Sequence, residues 1–141
     1  MDEVATYLVF SAAIGLMQVW DNYKLYRQDG EALRFDWAFS LIEFVWVFVS
    51  VAMLVAIDMS YLEKTVPVVY VLFNAVFLLY SVKLYSESER SGANEITLPL
   101  WSFQAGMVFG ICFCILCSAI LLLQYADHSS LTFIDIHVLK D

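Results

Sequence analysis

The sequence predicts an all-α membrane protein: a four-transmembrane-helix antiparallel bundle with short loops and a short extramembrane C-terminal tail. Three observations predict it. The chain is 62% hydrophobic, with a mean hydropathy of +0.75, whereas a soluble domain is roughly 45–50% apolar. The excess falls into four blocks, each close to the ~20 residues that a spanning helix needs. The polar stretches between blocks are short, which makes consecutive helices antiparallel neighbours. Lipid requires every backbone polar group to be satisfied within the segment or in a closed barrel. The blocks are too long and too uniformly apolar for barrel strands, which alternate.

Residues 1–126 are expected to form the transmembrane domain, with helices over about 4–28, 37–57, 66–88 and 98–125. The chain opens Met1-Asp2-Glu3, without the positive charge that begins a cleavable signal peptide, so the first block reads as a retained helix. Trp20, Tyr23 and Tyr26 close it, and Trp37 opens the second. Tyr80 and Tyr85 close the third and Trp101 opens the fourth, in keeping with the preference of Trp and Tyr for the headgroup level. Pro67 and Pro99 are expected in the first turns of helices three and four, where the proline nitrogen has no intrahelical partner to lose. The first and third helices end alike, in "NYKLYRQDG" and "SVKLYSESERSG". Gly30 and Gly92 suit helix stops, and the shared pattern fits either a duplicated hairpin or common interfacial demands. In the 127–141 tail, Ile134, Ile136 and Val138 alternate with Asp135 and His137. That alternation suits a strand pairing with a partner's edge; an unstructured or membrane-surface tail is the other reading.

Charge gives the expected orientation. Lys24, Arg27, Arg34, Lys83 and Arg90 fall at the loops 21–36 and 86–97, against Lys64 and Lys140 elsewhere. By the positive-inside rule those two loops are cytoplasmic and both termini lie outside. The net charge of −8 disfavours nucleic-acid binding, which needs a basic patch to displace counterions. The acidic outer side could gather cations or be a solvated rim.

Glu43 lies inside the second apolar block, where a carboxylate costs about 2.5–3.5 kcal/mol to insert. Gln18, Gln104, Asn74 and Ser81 offer polar side chains in or near the same half of the membrane. Three readings are open: Glu43 is glue hydrogen-bonded to Gln18, Gln104 or Asn74; it lines an ion or proton path; or it faces another subunit. On the fourth helix Ser102, Gly106, Gly110, Cys114 and Ser118 recur every four residues, a small-residue seam on which another backbone can approach closely. Whether that backbone belongs to this chain or to a partner is open. Cys112, Cys114 and Cys117 read as small apolar core residues, without a disulfide. No metal or cofactor is expected: two His and two Asp in the tail are a thin basis for a metal site, and no histidine lies at bilayer depth. There is no Gly-rich phosphate loop, HExxH or GxSxG, so no catalytic role is expected.

The start of the last helix, "LPLWSFQAGMVFG", and a carboxylate early in the second are faintly similar to the small membrane subunits of tripartite periplasmic transporters. The likeness covers a few dozen residues and implies a four-helix architecture alone. The charge count puts the termini on the side opposite to that family's, and no membership follows. The expected function is a non-catalytic accessory or structural subunit of a larger membrane complex. Its expected partners are other membrane subunits or copies of itself, and lipid. The alternative is a small oligomeric ion channel or transporter component with Glu43 in the path.

Overall fold

The computed structural model describes residues 3–27, 37–91 and 99–138. They form four helices in chain order: α1 (Glu3–Arg27), α2 (Trp37–Ala56), α3 (Tyr61–Ser91) and α4 (Leu100–Val138). The expected stops Gly30 and Gly92, the basic Arg34 and Lys140, and the side chains of the 127–141 tail lie outside the described residues. Three helices are long and apolar enough to cross a membrane: α1, α3 over Tyr61–Leu84 and α4 over Leu100–Ala126. The apolar stretch of α2 over Leu41–Ala56 is shorter. At ~1.5 Å per residue, α3 is about 46 Å long and α4 about 58 Å, so both outreach a hydrocarbon core of ~30 Å.

Two boundaries differ from the sequence expectation. Helix α3 starts at Tyr61 rather than near 66 because Ser60 and Glu63 form a capping box. The Ser60 N–H donates to Glu63 Oε2 (2.7 Å), and the Glu63 N–H donates to Ser60 Oγ (3.4 Å). Two amides left over at the helix start are thereby satisfied reciprocally. Pro67 consequently sits inside the helix, not in its first turn, and its ring is fully buried. Helix α4 continues to Val138, so residues 127–138 are helical and not the strand their alternation suggested. A lone strand has no edge to pair with, whereas a continuing helix closes its own backbone bonds. At the other end of α4, Pro99 immediately precedes the helix, and its carbonyl accepts from both the Ser102 N–H (2.9 Å) and the Ser102 hydroxyl (2.7 Å).

Helices α1 and α4 make the most extensive contact, followed by α2 with α3. Contacting residues run in opposite order along α1–α4 and along α3–α4. Gly15 meets Cys114 while Asn22 meets Gly106, and Tyr70 meets Phe113 while Tyr80 meets Trp101. The buried residues of α1 are Val4, Tyr7, Leu8, Ser11, Ile14, Gly15 and Gln18, a three-and-four spacing that puts them on one helical face. Val4, Tyr7, Leu8 and Ile14 of that face join Met59, Val66, Tyr70, Phe113, Cys117 and Ile120 in a single core. An aromatic ladder zips α3 to α4, with the Phe73 and Phe109 rings stacked 3.6 Å apart and nearly parallel. Outside, large apolar side chains stand bare: Val55 is 84% exposed, Leu79 71% and Leu122 70%. In water such a surface would be an aggregation hazard; against lipid tails it is the ordinary exterior.

Candidate functional site

The face between α1 and α2 is polar at its centre. Tyr7 and Ser50 are buried, and their hydroxyls share a hydrogen bond of 2.8 Å. One turn along, the Trp46 indole N–H donates to Ser11 Oγ at 3.2 Å. The Tyr7 and Trp46 rings stack with centroids 5.6 Å apart and 5° between planes. Buried hydroxyls and indoles need such partners, because desolvation of an unbonded group is costly. Ser50, Trp46 and Glu43 are spaced four and three apart, so Glu43 continues the same α2 stripe.

At that turn α3 also attaches. The fully buried Tyr70 hydroxyl donates to the backbone carbonyl of Glu43 at 3.3 Å, not to its carboxylate. The Glu43 side chain is half-buried, and Asp21 of α1 lies within electrostatic reach of it. Gln18 is only 4% exposed, and its Oε1 is buried with no hydrogen-bond partner among the described residues. Asn22 Nδ2 caps the Gln18 backbone carbonyl at 2.8 Å. Glu43 and Asp21 thus bring two carboxylates toward one end of the α1–α2 face.

The other expected members of this cluster are elsewhere. Asn74 Nδ2 donates to the Tyr70 carbonyl (2.8 Å) and Ser81 Oγ to the Phe77 carbonyl (2.9 Å), each four residues back on its own helix. Such local bonds compete with any bond across helices. Gln104 is exposed, because the buried face of α4 runs through Ser102, Phe103, Gly106, Gly110, Phe113 and Cys117. The amides of Asn74 and Gln104 therefore do not clamp Glu43.

The small-residue row of α4 faces α1. A Cβ placed on Gly110 would stand 2.7 Å from the Gly15 carbonyl oxygen, and one on Gly15 would stand 2.8 Å from Cys114 Sγ. A Cβ on Gly106 would stand 2.5 Å from Asn22 Oδ1. The Cys114 thiol donates to the Ala12 carbonyl at 3.1 Å. Ser102 is buried and Ser118 exposed. A row at every fourth residue rotates by about 40° per step, so it leaves the interface by Ser118, and Cys117 takes the inner place. Cys112 is exposed, Cys114 half-buried and Cys117 buried, all as free thiols.

Sequence reasoning missed the Tyr7–Ser50 and Ser11–Trp46 bonds. One signal for them was available: Trp46 sits in mid-block, away from the interfacial belt where tryptophan is at ease, and its N–H there needs an acceptor. It also missed the "SYLE" capping box at 60–63, whose Glu63 Oε1 further accepts a hydrogen bond from Gln124 of α4. The class these features define is a helical membrane protein with an interior tied by hydroxyl, indole and glycine contacts. No protein-family model, curated protein or solved structure matches the chain.

Proposed function

We propose that this protein is a non-catalytic, multi-pass membrane subunit that supports a larger membrane complex. In this reading α2 crosses as well, giving a four-span antiparallel bundle with loops 21–36 and 86–97 cytoplasmic and both termini outside. The observation that carries the subunit reading is how the interior is used. Tyr7, Ser11, Trp46, Ser50 and Tyr70 spend their polar atoms on one another or on backbone. Meanwhile α2 presents Leu41, Phe44, Val45, Phe48, Val51 and Val55 outward. Such an arrangement suits holding neighbours more than turning over a substrate. Support for the topology comes from the charges: Lys24, Arg27 and Lys83 fall toward one end of the helices, and Glu3, Asp58 and Glu63 toward the other. The test is isolation from the native membrane in mild detergent with mass spectrometry. A stoichiometric membrane partner of different sequence is expected; a homogeneous particle of this chain alone would contradict the subunit reading.

One observation favours the second reading, a channel or transporter component. The Glu43 carboxyl within electrostatic reach of Asp21, with the buried Gln18 Oε1 lacking a hydrogen-bond donor among the described residues one turn from Asp21 on α1, is a setting of the kind that takes a proton or a cation. Purified chain in proteoliposomes tests it. Flux of protons or alkali cations that Glu43→Gln abolishes is its expected signature, and flux unchanged by the substitution would exclude Glu43 from the path.

A further inference from the structure

We propose that the outward face of α1 is a binding site for one anionic phospholipid, with Trp20, Tyr23, Lys24 and Arg27 holding its headgroup. The inference rests on the membrane reading above and adds a ligand to it. Val9, Ala13, Leu16, Trp20, Tyr23 and Arg27 are spaced four and three apart and every one is exposed. They form one stripe along the helix, turned away from Gly15 and Asn22, which face α4.

The chemistry of that stripe changes in a lipid's own order. Val9, Ala13 and Leu16 are apolar, Trp20 and Tyr23 are interfacial aromatics, and Arg27 is cationic, with Lys24 beside it. From Val9 to Trp20 is about 16 Å of helix, close to the ~15 Å of one leaflet's hydrocarbon. An acyl chain lying on the apolar part therefore delivers its phosphate to the cations. A free phosphate has no use for that track.

The headgroup end is an open recess on the helix surface between Trp20, Tyr23, Lys24 and Arg27. Lys24 Nζ lies 5.4 Å from the Trp20 ring centroid, and the Arg27 guanidinium 5.9 Å from that of Tyr23. Each cation is thus held over a ring by its quadrupole, which limits the side-chain freedom that binding must remove. The groups offered are almost all donors: guanidinium, ammonium, indole N–H and phenol O–H. A phosphodiester supplies the matching acceptors, with the guanidinium fork suited to two of its oxygens. Asp21 Oδ1 touches Lys24 Nζ at 3.9 Å and offsets part of its charge. Arg27 makes no ion pair among the described residues. Each cation near a membrane surface favours anionic lipid about fivefold.

The test uses the full chain in phosphatidylcholine vesicles, with Trp37, Trp46 and Trp101 replaced by Phe so that Trp20 reports. Quenching by brominated phosphatidylglycerol is compared with quenching by brominated phosphatidylcholine at the same mole fraction. Phosphatidylglycerol is expected to quench several-fold more strongly at low salt. Lys24→Gln with Arg27→Gln is expected to equalise the two, while Lys64→Gln leaves the difference intact. Equal quenching by both lipids before any charge is removed would overturn the site while leaving the membrane reading standing. Absence of quenching by either lipid would overturn both. Native mass spectrometry of the chain with all its tryptophans gives a reading independent of the Phe substitutions. Retained phosphatidylglycerol that is lost in the double Gln variant supports the site, and retention unaffected by that variant refutes it.

Discussion

The α1–α4 contact and the α1–α2 contact join helices by different physics. Between α1 and α4 the backbones nearly touch, because Gly15 faces Gly110 and no side chain intervenes. Lipid tails are as apolar as leucine, so the gain there comes from dispersion over closely fitted surfaces. Between α1 and α2 the helices stand further apart and are bridged by side chains, through Tyr7–Ser50, Trp46–Ser11 and the Tyr7–Trp46 stack. The first contact depends on shape and cannot absorb an added atom. The second depends on paired polar groups and tolerates some loss. A helix in lipid can be fixed either way, and this chain uses the one buried face of α1 for both.

The comparison can be broken at its strongest point first. Gly110→Leu forces a side chain against the Gly15 carbonyl, where even a Cβ would stand at 2.7 Å. Overpacking of a fitted contact costs about 1–3 kcal/mol and more when backbone blocks the way, so a loss of ~3 kcal/mol or greater is expected in unfolding titrations with denaturing detergent. Tyr7→Phe removes one hydroxyl from the bridged contact and leaves the ring stack. Polar bonds between membrane helices are worth about 0.6–2 kcal/mol, and a loss near ~1 kcal/mol is expected in the same titration. Ser60→Ala strips the capping box from α3, with an expected cost of ~0.5–1 kcal/mol and earlier hydrogen exchange at residues 61–63. Ser118→Leu is the sharpest control. It enlarges a residue of the same four-spaced row that is exposed, and its effect is expected within about 0.5 kcal/mol. A cost equal to that of Gly110→Leu would show that the row packs along its whole length.

What the sequence disclosed follows from these mechanisms. Hydropathy over ~20 residues reflects the solvent, so the helical blocks and their approximate ends were legible. A small residue every fourth position constrains backbone approach directly, so Gly106 and Gly110 were legible as a close face, while only the structure sets Gly106 against Asn22 and Gly110 against Gly15. Glu43 was legible as an anomaly, but its neighbours were not. Asn74 and Ser81 had equal access to their own helix backbone, a choice composition does not encode. Gln104 was judged by depth alone, and depth leaves rotation about the helix axis undetermined. The strand pattern at 134–138 misled because alternation predicts a strand only when an edge is present to receive it.

The proposed four-span topology depends most on α2, whose apolar stretch is shorter than the other three. Replacing Cys112, Cys114 and Cys117 by Ala, then introducing one cysteine at Asp29 or at Asp58, allows labelling with a membrane-impermeant maleimide in sealed vesicles of known orientation. Labelling of the Asp29→Cys and Asp58→Cys variants from opposite sides is predicted. Labelling of both from the same side would mean that α2 does not cross, and the account would fail.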